Sequence, residues 1–379
     1  MKKEWKEYSL EDLLSYEQPT PYIVESTEYD DSFETPVLTA GSSFILGYTD
    51  EIDGIYNQVP VIIFDDFTTA SRYVNFPFKV KSSAMKILTA NKELVLPKFI
   101  YYRMQTINFE HSTHKRYWIQ QYSKIKVEIP SLSEQKRIVN KIEELFSELD
   151  SAVETLKKTK EQLTVYRQSV LKDAFEKCRE YGCMGDILLS IESGKSFKCV
   201  EKPPRENEYG IVKVSAVTWG VYNEQESKTC RPEQFIESKR IKENDFLFSR
   251  ANTIELIGNC VIAKDVSKNL MMSDKILRFN MSDNVNKEYV LYYLRSGFAK
   301  KQIRELSTGN QDGMRNIGQD RIRKILFPRI SITEQNRMVE KIKSRFLVCE
   351  NVEKTVNDAF AQAEAMRQSV LKKAFEGRL

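Results

Sequence analysis

The chain carries a long internal repeat, and this repeat restricts the possible folds more than any other feature. Residues 134–176 and 334–376 align without gaps and are identical at 18 of 43 positions. Within them, residues 167–172 return unchanged as residues 367–372. Self-similarity at a fixed offset is the signature of a duplicated structural unit. We therefore expect two copies of one architecture in the 379-residue chain.

The two repeated segments are predicted to be long helices. Neither contains Gly or Pro, and their apolar residues recur at alternating steps of four and three, which is typical of a coiled-coil seam. We expect the N-caps at Ser133 and Thr333. The coiled-coil frame is predicted to consist of Ile138, Ile142, Leu145, Leu149, Leu156, Met338, Ile342, Val352 and Val356. The same seam also runs through Ala152, Tyr166 and Met366. Because both copies have the same phase, we expect the helices to pack on each other. The alternative is two ordinary amphipathic helices in separate cores.

The repeat extends upstream of the helices, so the chain is a tandem of two modules and two helices. Residues 118–130 correspond to residues 316–328, with Ile, Gln, Lys and Pro in register. The expected boundaries are 1–133 for module 1, 134–180 for a central helix, 181–333 for module 2 and 334–379 for a C-terminal helix. The helices are more alike than the modules, which fits a constant frame that carries two differently adapted domains.

Both modules are predicted to be of mixed α and β structure, which makes the fold class α+β. Strands are expected at 58–64, 73–80, 209–217, 245–248 and 275–279. A short helix follows in each module, at 97–106 and 287–297. The aromatic residues of these helices are more typical of a core than of a platform for stacking bases.

Two polar loops supply the candidates for contact with nucleic acid, since Arg, Lys, Asn and Gln bind phosphates and the edges of bases. They precede the Ile-x-Gln segment of each module. The loop of module 1 supplies Lys115, Arg116 and Tyr117, and the loop of module 2 supplies Asn310, Gln311, Arg315 and Asn316. Further candidates of the same kind lie outside these loops: Arg72 with Asn75, and Arg250 with Asn252. For any one of these residues, the alternative is a plain solvated turn.

Composition excludes several classes of protein. The net charge is only +4, although residues 181–333 hold 25 basic and 19 acidic residues. The six cysteines form no Cys-x-x-Cys pair, which indicates reduced thiols and a cytoplasmic protein. His111 and His114 have no further ligand nearby, so a polar loop is favoured over a metal site. No apolar run is long enough to span a membrane, and no targeting signal is expected.

The sequence contains no nucleotide-binding glycine motif, no methyltransferase motif and no set of residues suited to nucleophilic catalysis. We therefore expect a binding protein without an active site or a bound cofactor.

The segment 129–139, with Pro130 shortly before Glu134-Gln135, returns as 327–339 with Pro328 before Glu334-Gln335. This twice-used arrangement resembles the specificity (S) subunits of type I restriction-modification systems. The resemblance implies that each module is a target recognition domain, which reads one half of a split sequence in double-stranded DNA. It also implies an antiparallel coiled coil with a pseudo-twofold. Two methyltransferase (M) subunits would dock on it and bind S-adenosylmethionine, and restriction (R) subunits would join them.

The competing hypothesis is a duplicated coiled-coil scaffold that binds only proteins. The acidic balance of module 1, with 14 basic and 18 acidic residues in 1–133, is its best support. Salt-dependent DNA binding in the presence of M subunits separates the two hypotheses.

Overall fold

The computed structural model describes residues 5–41, 43–111, 116–311 and 313–379, with only the backbone of Asn310 and Gln311. The helices are α1 (Leu10–Leu13), α2 (Pro97–Met104), α3 (Leu132–Phe175), α4 (Lys287–Arg295), α5 (Gly297–Leu306), α6 (Gln319–Arg323) and α7 (Ile332–Phe375). The strands before α3 are β1 (Lys6–Ser9), β2 (Leu14–Glu17), β3 (Thr35–Leu38), β4 (Ile45–Thr49), β5 (Val61–Asp65), β6 (Ser71–Val74), β7 (Lys79–Val80), β8 (Met85–Ala90) and β9 (Lys126–Ile129). The strands after α3 are β10 (Tyr181–Cys183), β11 (Leu188–Ser193), β12 (Tyr209–Val212), β13 (Ser227–Cys230), β14 (Phe246–Ser249), β15 (Ala251–Asn252), β16 (Cys260–Ile262), β17 (Asn269–Met271), β18 (Ile276–Met281), β19 (Thr308–Gln311), β20 (Met314–Asn316) and β21 (Leu326–Pro328).

Contacts divide the chain into two compact units, each of which combines one module with parts of both long helices. Unit 1 consists of Met1–Lys157 and Asn357–Leu379, and unit 2 consists of Lys158–Val356. Each unit therefore contains a stretch of α3 packed with a stretch of α7.

Unit 1 contains two sheets, and the hydrophobic strand β5 of the larger one lies between two cores. The sheet β2-β8-β5-β6 is antiparallel, and the sheet β4-β3-β7 contains the parallel pair β3 and β7. Side chains of β5 alternate between two cores, with Ile62 and Phe64 in the core that contains α2 and Val61 and Ile63 in the other. This double burial explains why the strand reads as an unbroken apolar run.

Unit 2 repeats the topology of unit 1. The orders β11-β18-β14-β16 and β13-β12-β17 match the two sheets of unit 1, including the parallel pair β12 and β17. Strand β14 again faces two cores, with Phe246 and Phe248 in one and Leu247 in the other. Among the described residues, unit 2 has one additional sheet, β15-β20-β19. The duplication predicted from the sequence is thus present in the fold of the modules.

Most predicted elements occur close to their expected positions. The predicted helix 97–106 is α2 and the predicted helix 287–297 is α4, and both bury their aromatic rings, as in Phe99 and Tyr293. The strand expected at 209–217 is too long, because β12 ends at Val212 and Val214–Val217 form a 3-10 turn. The strand expected at 73–80 is interrupted, because β6 ends at Val74 before β7 begins.

The long helices run antiparallel, as predicted. In unit 1, Ile138 and Ile142 near the start of α3 share a core with Leu371 and Phe375 near the end of α7. In unit 2 the relation is reversed, because Val170, Leu171 and Phe175 share a core with Val339 and Ile342. The start of each helix therefore packs with the end of the other.

The predicted N-caps are wrong by two residues. Ser131 and Ser331, rather than Ser133 and Thr333, precede the helices, and each hydroxyl accepts the backbone N–H three residues ahead, at 3.4 and 3.3 Å. The backbone N–H of Ser331 also donates to the carboxylate of Glu334 at 3.2 Å, which completes a capping box.

The packed face of the helices departs from the predicted seam at two positions in each helix. Frame residues Ile138, Ile142, Ile342 and Val356 are buried, and Leu145, Leu149, Leu156 and Met338 are half-buried. The exposed members of the predicted seam are Ala152, Tyr166, Val352 and Met366. The next residue in the chain is half-buried instead, and three of these residues are charged. Arg167 bonds Glu353 at 2.8 Å in unit 2, and Arg367 bonds Asp150 in unit 1. Val352 is therefore a correction to the predicted frame, because an ion pair takes its place between the helices.

No helix in the described part of the chain is long and apolar enough to cross a membrane.

Candidate nucleic-acid interface

The additional sheet of unit 2 gathers the candidate residues of module 2. Strand β15 pairs with β20 through Ala251 opposite Asn316 and Asn252 opposite Arg315. Strand β20 in turn pairs with β19, whose backbone includes Asn310 and Gln311. Residues that lie about 60 positions apart in the sequence are therefore neighbours in one small sheet. The side chains of Asn310 and Gln311 lie outside the described residues.

Arg315 holds the β19–β20 hairpin together. Its guanidinium donates to the hydroxyl and the carbonyl of Ser307 at 3.1 and 2.9 Å and to the carbonyl of Gly309 at 3.1 Å. Gly309 has a φ of 152°, and an added Cβ would lie 2.3 Å from the carbonyl oxygen of Met314. The hairpin therefore depends on a glycine at one position and on an arginine fork at another.

Asn316 and Arg250 present polar groups at the edge of this sheet. Asn316 is exposed, and its Oδ1 accepts the Nε–H of Arg250 at 3.2 Å. Asn252 is half-buried, and its Oδ1 accepts the backbone N–H of Thr253 at 2.9 Å. The remaining guanidinium donors of Arg250 and the amide of Asn316 are suited to phosphate or base contacts.

The candidate loop of module 1 is anchored beside the turn after β5. Arg116 is exposed and lies over the ring of Phe67 at 5.9 Å from its centroid. His111 approaches the hydroxyl of Thr69 at 3.1 Å. Lys115, like His114, lies outside the described residues.

Tyr117 is not a surface residue, and its prediction as a DNA contact is wrong. Its side chain is only 1% exposed, and its ring packs against Phe109 and His111. The cause is the buried Asp66, whose carboxylate accepts the backbone N–H of Trp118 at 2.7 Å and whose backbone carbonyl accepts that of Tyr117 at 2.8 Å. This contact draws the end of the loop into the core.

Arg72 and Asn75 belong to a different part of module 1. Arg72 is half-buried and donates to the carbonyl of Gly41 at 3.2 Å, and it also lies over the ring of Phe44. Asn75 is exposed just after β6. Arg116 contacts a different turn, and within the described part of module 1 no contact joins it to Arg72 or Asn75.

Two glutamines that the sequence reasoning did not single out fasten each module to its long helix. Gln135 is 0% exposed and accepts the N–H of Leu96, the residue before α2, at 2.8 Å. Gln335 is 4% exposed and accepts the N–H of Asn286, the residue before α4, at 2.9 Å. The repeated Glu-Gln pair was the available signal, because a buried amide at the same place in both copies has the same structural task.

Within the part of the chain that the structure describes, no group of three or more His, Cys, Asp or Glu side chains is arranged to hold a metal ion.

Comparison with known proteins gives a consistent result. Residues 2–165 match the family model described as type I restriction modification DNA specificity domain. The Escherichia coli EcoR124I/EcoR124II specificity subunit is 32% identical over 355 residues, which cover 87% of this chain and 84% of that protein. The MjaVIII specificity subunit of Methanocaldococcus jannaschii is 24% identical over 378 residues, covering 90% of this chain and 86% of that protein.

Among solved structures, a similar chain comes from work on complex assembly and conformational transition of the type I R-M system. It has a TM-score of 0.68 and 16% sequence identity, and the match covers 100% of this chain and 99% of that one. This likeness concerns the fold. The sequence match to the E. coli relative shows that the chain belongs to the family of type I restriction enzyme specificity subunits.

Proposed function

We propose that the chain is the DNA-reading subunit of a type I restriction-modification complex. It binds double-stranded DNA and recognises a target in two halves, one through module 1 and the other through module 2. The observation that carries this proposal is the pairing of a constant frame with variable loops. Both modules have the same sheet order and the same buried glutamine anchor, whereas the polar loops differ in sequence and in local structure.

In module 2 the reading surface consists of the β15-β20-β19 sheet. Arg250 and Asn316 supply the polar groups at its edge, and Arg315 keeps the hairpin in shape. In module 1 the corresponding contact is made by Arg116 and its neighbour Lys115. Side chains of these types bind phosphates and hydrogen-bond to base edges in the major groove.

The long helices act as the frame of the complex. Each has 44 residues and is therefore about 66 Å long at ~1.5 Å per residue. Two M subunits dock on this frame and bind S-adenosylmethionine, and R subunits join them for cleavage. The chain itself binds no cofactor and catalyses no step. We place the complex in the cytoplasm and keep 1–133, 134–180, 181–333 and 334–379 as the functional segments.

Salt-dependent binding tests this proposal against a scaffold that binds only proteins. The assembled complex with M subunits should bind a duplex that carries its methylated sequence, with an affinity that falls steeply as salt rises. Each phosphate contact contributes about 0.9 to the slope of log K against log salt. A complex that assembles fully but shows no DNA binding beyond that of the M subunits alone would favour the scaffold.

A further inference from the structure

A tight turn in unit 2 carries two large apolar side chains into solvent. Trp219 and Val221 are each 70% exposed, and Gly220 between them has a φ of 88°. The chain contains three tryptophans; Trp118 is only 1% exposed and Trp5 is partly buried. Exposed apolar groups that lie together in this way mark a binding surface more often than chance exposure.

Side chains of neighbouring segments hydrogen-bond to the backbone of this turn. Asn259 donates to the carbonyl of Thr218 at 2.9 Å, and Arg295 donates to the carbonyl of Gly220 at 2.6 Å. The hydroxyl of Thr218 donates to the carbonyl of Val214 at 2.8 Å. The two carbonyls that flank Trp219 are therefore fixed by side chains of other segments. An exposed indole on a preorganised turn loses little backbone entropy when it binds a partner.

The surroundings of the turn are polar and basic. Asn252 of the β15-β20-β19 sheet approaches the hydroxyl of Thr218 at 3.5 Å, which places the turn next to the candidate interface. Lys300 donates to Asn259 at 3.1 Å. Burial lowers the pKa of Lys300, and the positive charges of Arg304 and Arg295 lower it further. Two basic side chains, Arg295 and Lys300, therefore lie beneath the turn.

This setting favours DNA over a protein partner. A protein docking site usually surrounds its aromatic anchor with apolar residues and few charges. Here the neighbours are arginine, lysine and asparagine, which attract phosphates and bind base edges. An aromatic ring set among such groups is the combination by which proteins contact a base face or edge while they hold the backbone.

We propose that Trp219, supported by Val221, is a specificity-determining residue of module 2 that packs against a base within the second half-site. The basic side chains of Arg295 and Lys300 beneath the turn favour the approach of the adjacent phosphates. This inference rests on the proposed function and adds to it a contact that none of the polar candidates provides.

Photo-crosslinking tests the contact directly in the assembled complex. Trp219 is replaced by p-benzoylphenylalanine, and the complex with M subunits is irradiated with a duplex that carries the methylated sequence. We expect a cross-link to a base of one half-site. Leu189, which is 71% exposed in the same unit, is the control position and should give no DNA cross-link. A cross-link from position 219 to an M subunit, or none to DNA, would overturn the inference.

Substitution then measures the effect on recognition. Trp219→Ala should weaken binding of the methylated sequence about ten- to a hundredfold, since a base–aromatic contact is worth ~1–3 kcal/mol. Trp219→Phe should retain most of the affinity. Leu189→Ala is the matched control, and all variants should unfold at the wild-type temperature because both side chains are exposed.

Different results would contradict the role of Trp219 and the DNA-reading function of the chain. If the wild-type complex binds and methylates its sequence and Trp219→Ala does so equally well, the role of Trp219 is wrong and the DNA-reading function stands. If the wild-type complex binds no DNA, the proposed function itself is wrong.

Discussion

The glutamine anchor of unit 1 gives the sharpest prediction for stability. Gln135→Met keeps the length of the side chain but removes its hydrogen bonds. The Gln135 amide accepts from Leu96 at 2.8 Å and donates to the carbonyls of Leu94 and Pro130, both at 2.9 Å. Each buried backbone group left without its partner costs ~1–3 kcal/mol. Because two of the bonds are only partly buried, the low end applies and the total loss is about 3–5 kcal/mol.

Thermal unfolding of the full chain measures this effect. For a unit of this size, ~1 kcal/mol corresponds to about 2–4 °C, so Gln135→Met should lower the unfolding temperature by about 10 °C. Gln335→Met should be less harmful, because that amide makes two bonds of this kind. Gln168→Met, an exposed glutamine on the same helix, is the control. If Gln135→Met unfolds at the same temperature as Gln168→Met, the glutamine does not fasten the module to the helix.

Three further predictions concern the frame, the hairpin and a pair of cysteines. Leu149→Asp places a charge on the packed face of α3 and should release the M subunits, which size-exclusion chromatography would detect; an intact complex would argue against this frame. Arg315→Ala should weaken DNA binding, because the guanidinium bonds to Ser307 are lost. Arg315→Lys should bind DNA no better than Arg315→Ala, because lysine lacks the planar fork of the guanidinium. Restored binding in Arg315→Lys would show that only the positive charge at this position matters. Val200 and Thr229 exchange both backbone hydrogen bonds at 3.0 Å each, and this antiparallel register places Cys199 opposite Cys230. Mild oxidation by diamide should therefore join the two cysteines in a disulfide. Peptide mapping that finds either cysteine joined elsewhere would contradict this strand register.

The helical frame was predictable because its signal is local and repeated. A stretch without Gly or Pro and with a regular apolar period leaves few alternatives to a long helix. The error in the seam has a physical cause, since hydrophobicity assigns charged residues to solvent. Arg167 and Glu353 instead pair with each other at 2.8 Å between the helices. Sequence reasoning had no means to foresee this pairing, because it joins residues 186 positions apart.

The candidate interface was predictable in composition but not in geometry. The cluster formed by Arg250 and Asn316 depends on β15 pairing with β20, which is a tertiary contact. Tyr117 was misassigned because only the fold shows that its backbone N–H donates to the carbonyl of the buried Asp66. Trp219 escaped notice because a single aromatic residue in a sequence does not indicate whether it is buried. A polar loop can be recognised from the sequence, whereas the exposure of an indole can be recognised only from the structure.

The most direct test of the central claim is the pattern of methylated bases in DNA from cells that contain the M subunits with and without this chain. We expect methylation of a bipartite sequence, with two specified halves and an unspecified spacer of constant length, only when the chain is present. Exchange of residues 181–333 for those of a relative should change one half and leave the other unaltered. Methylation that does not depend on the chain, or a single contiguous sequence, would contradict the assignment of one half-site to each module.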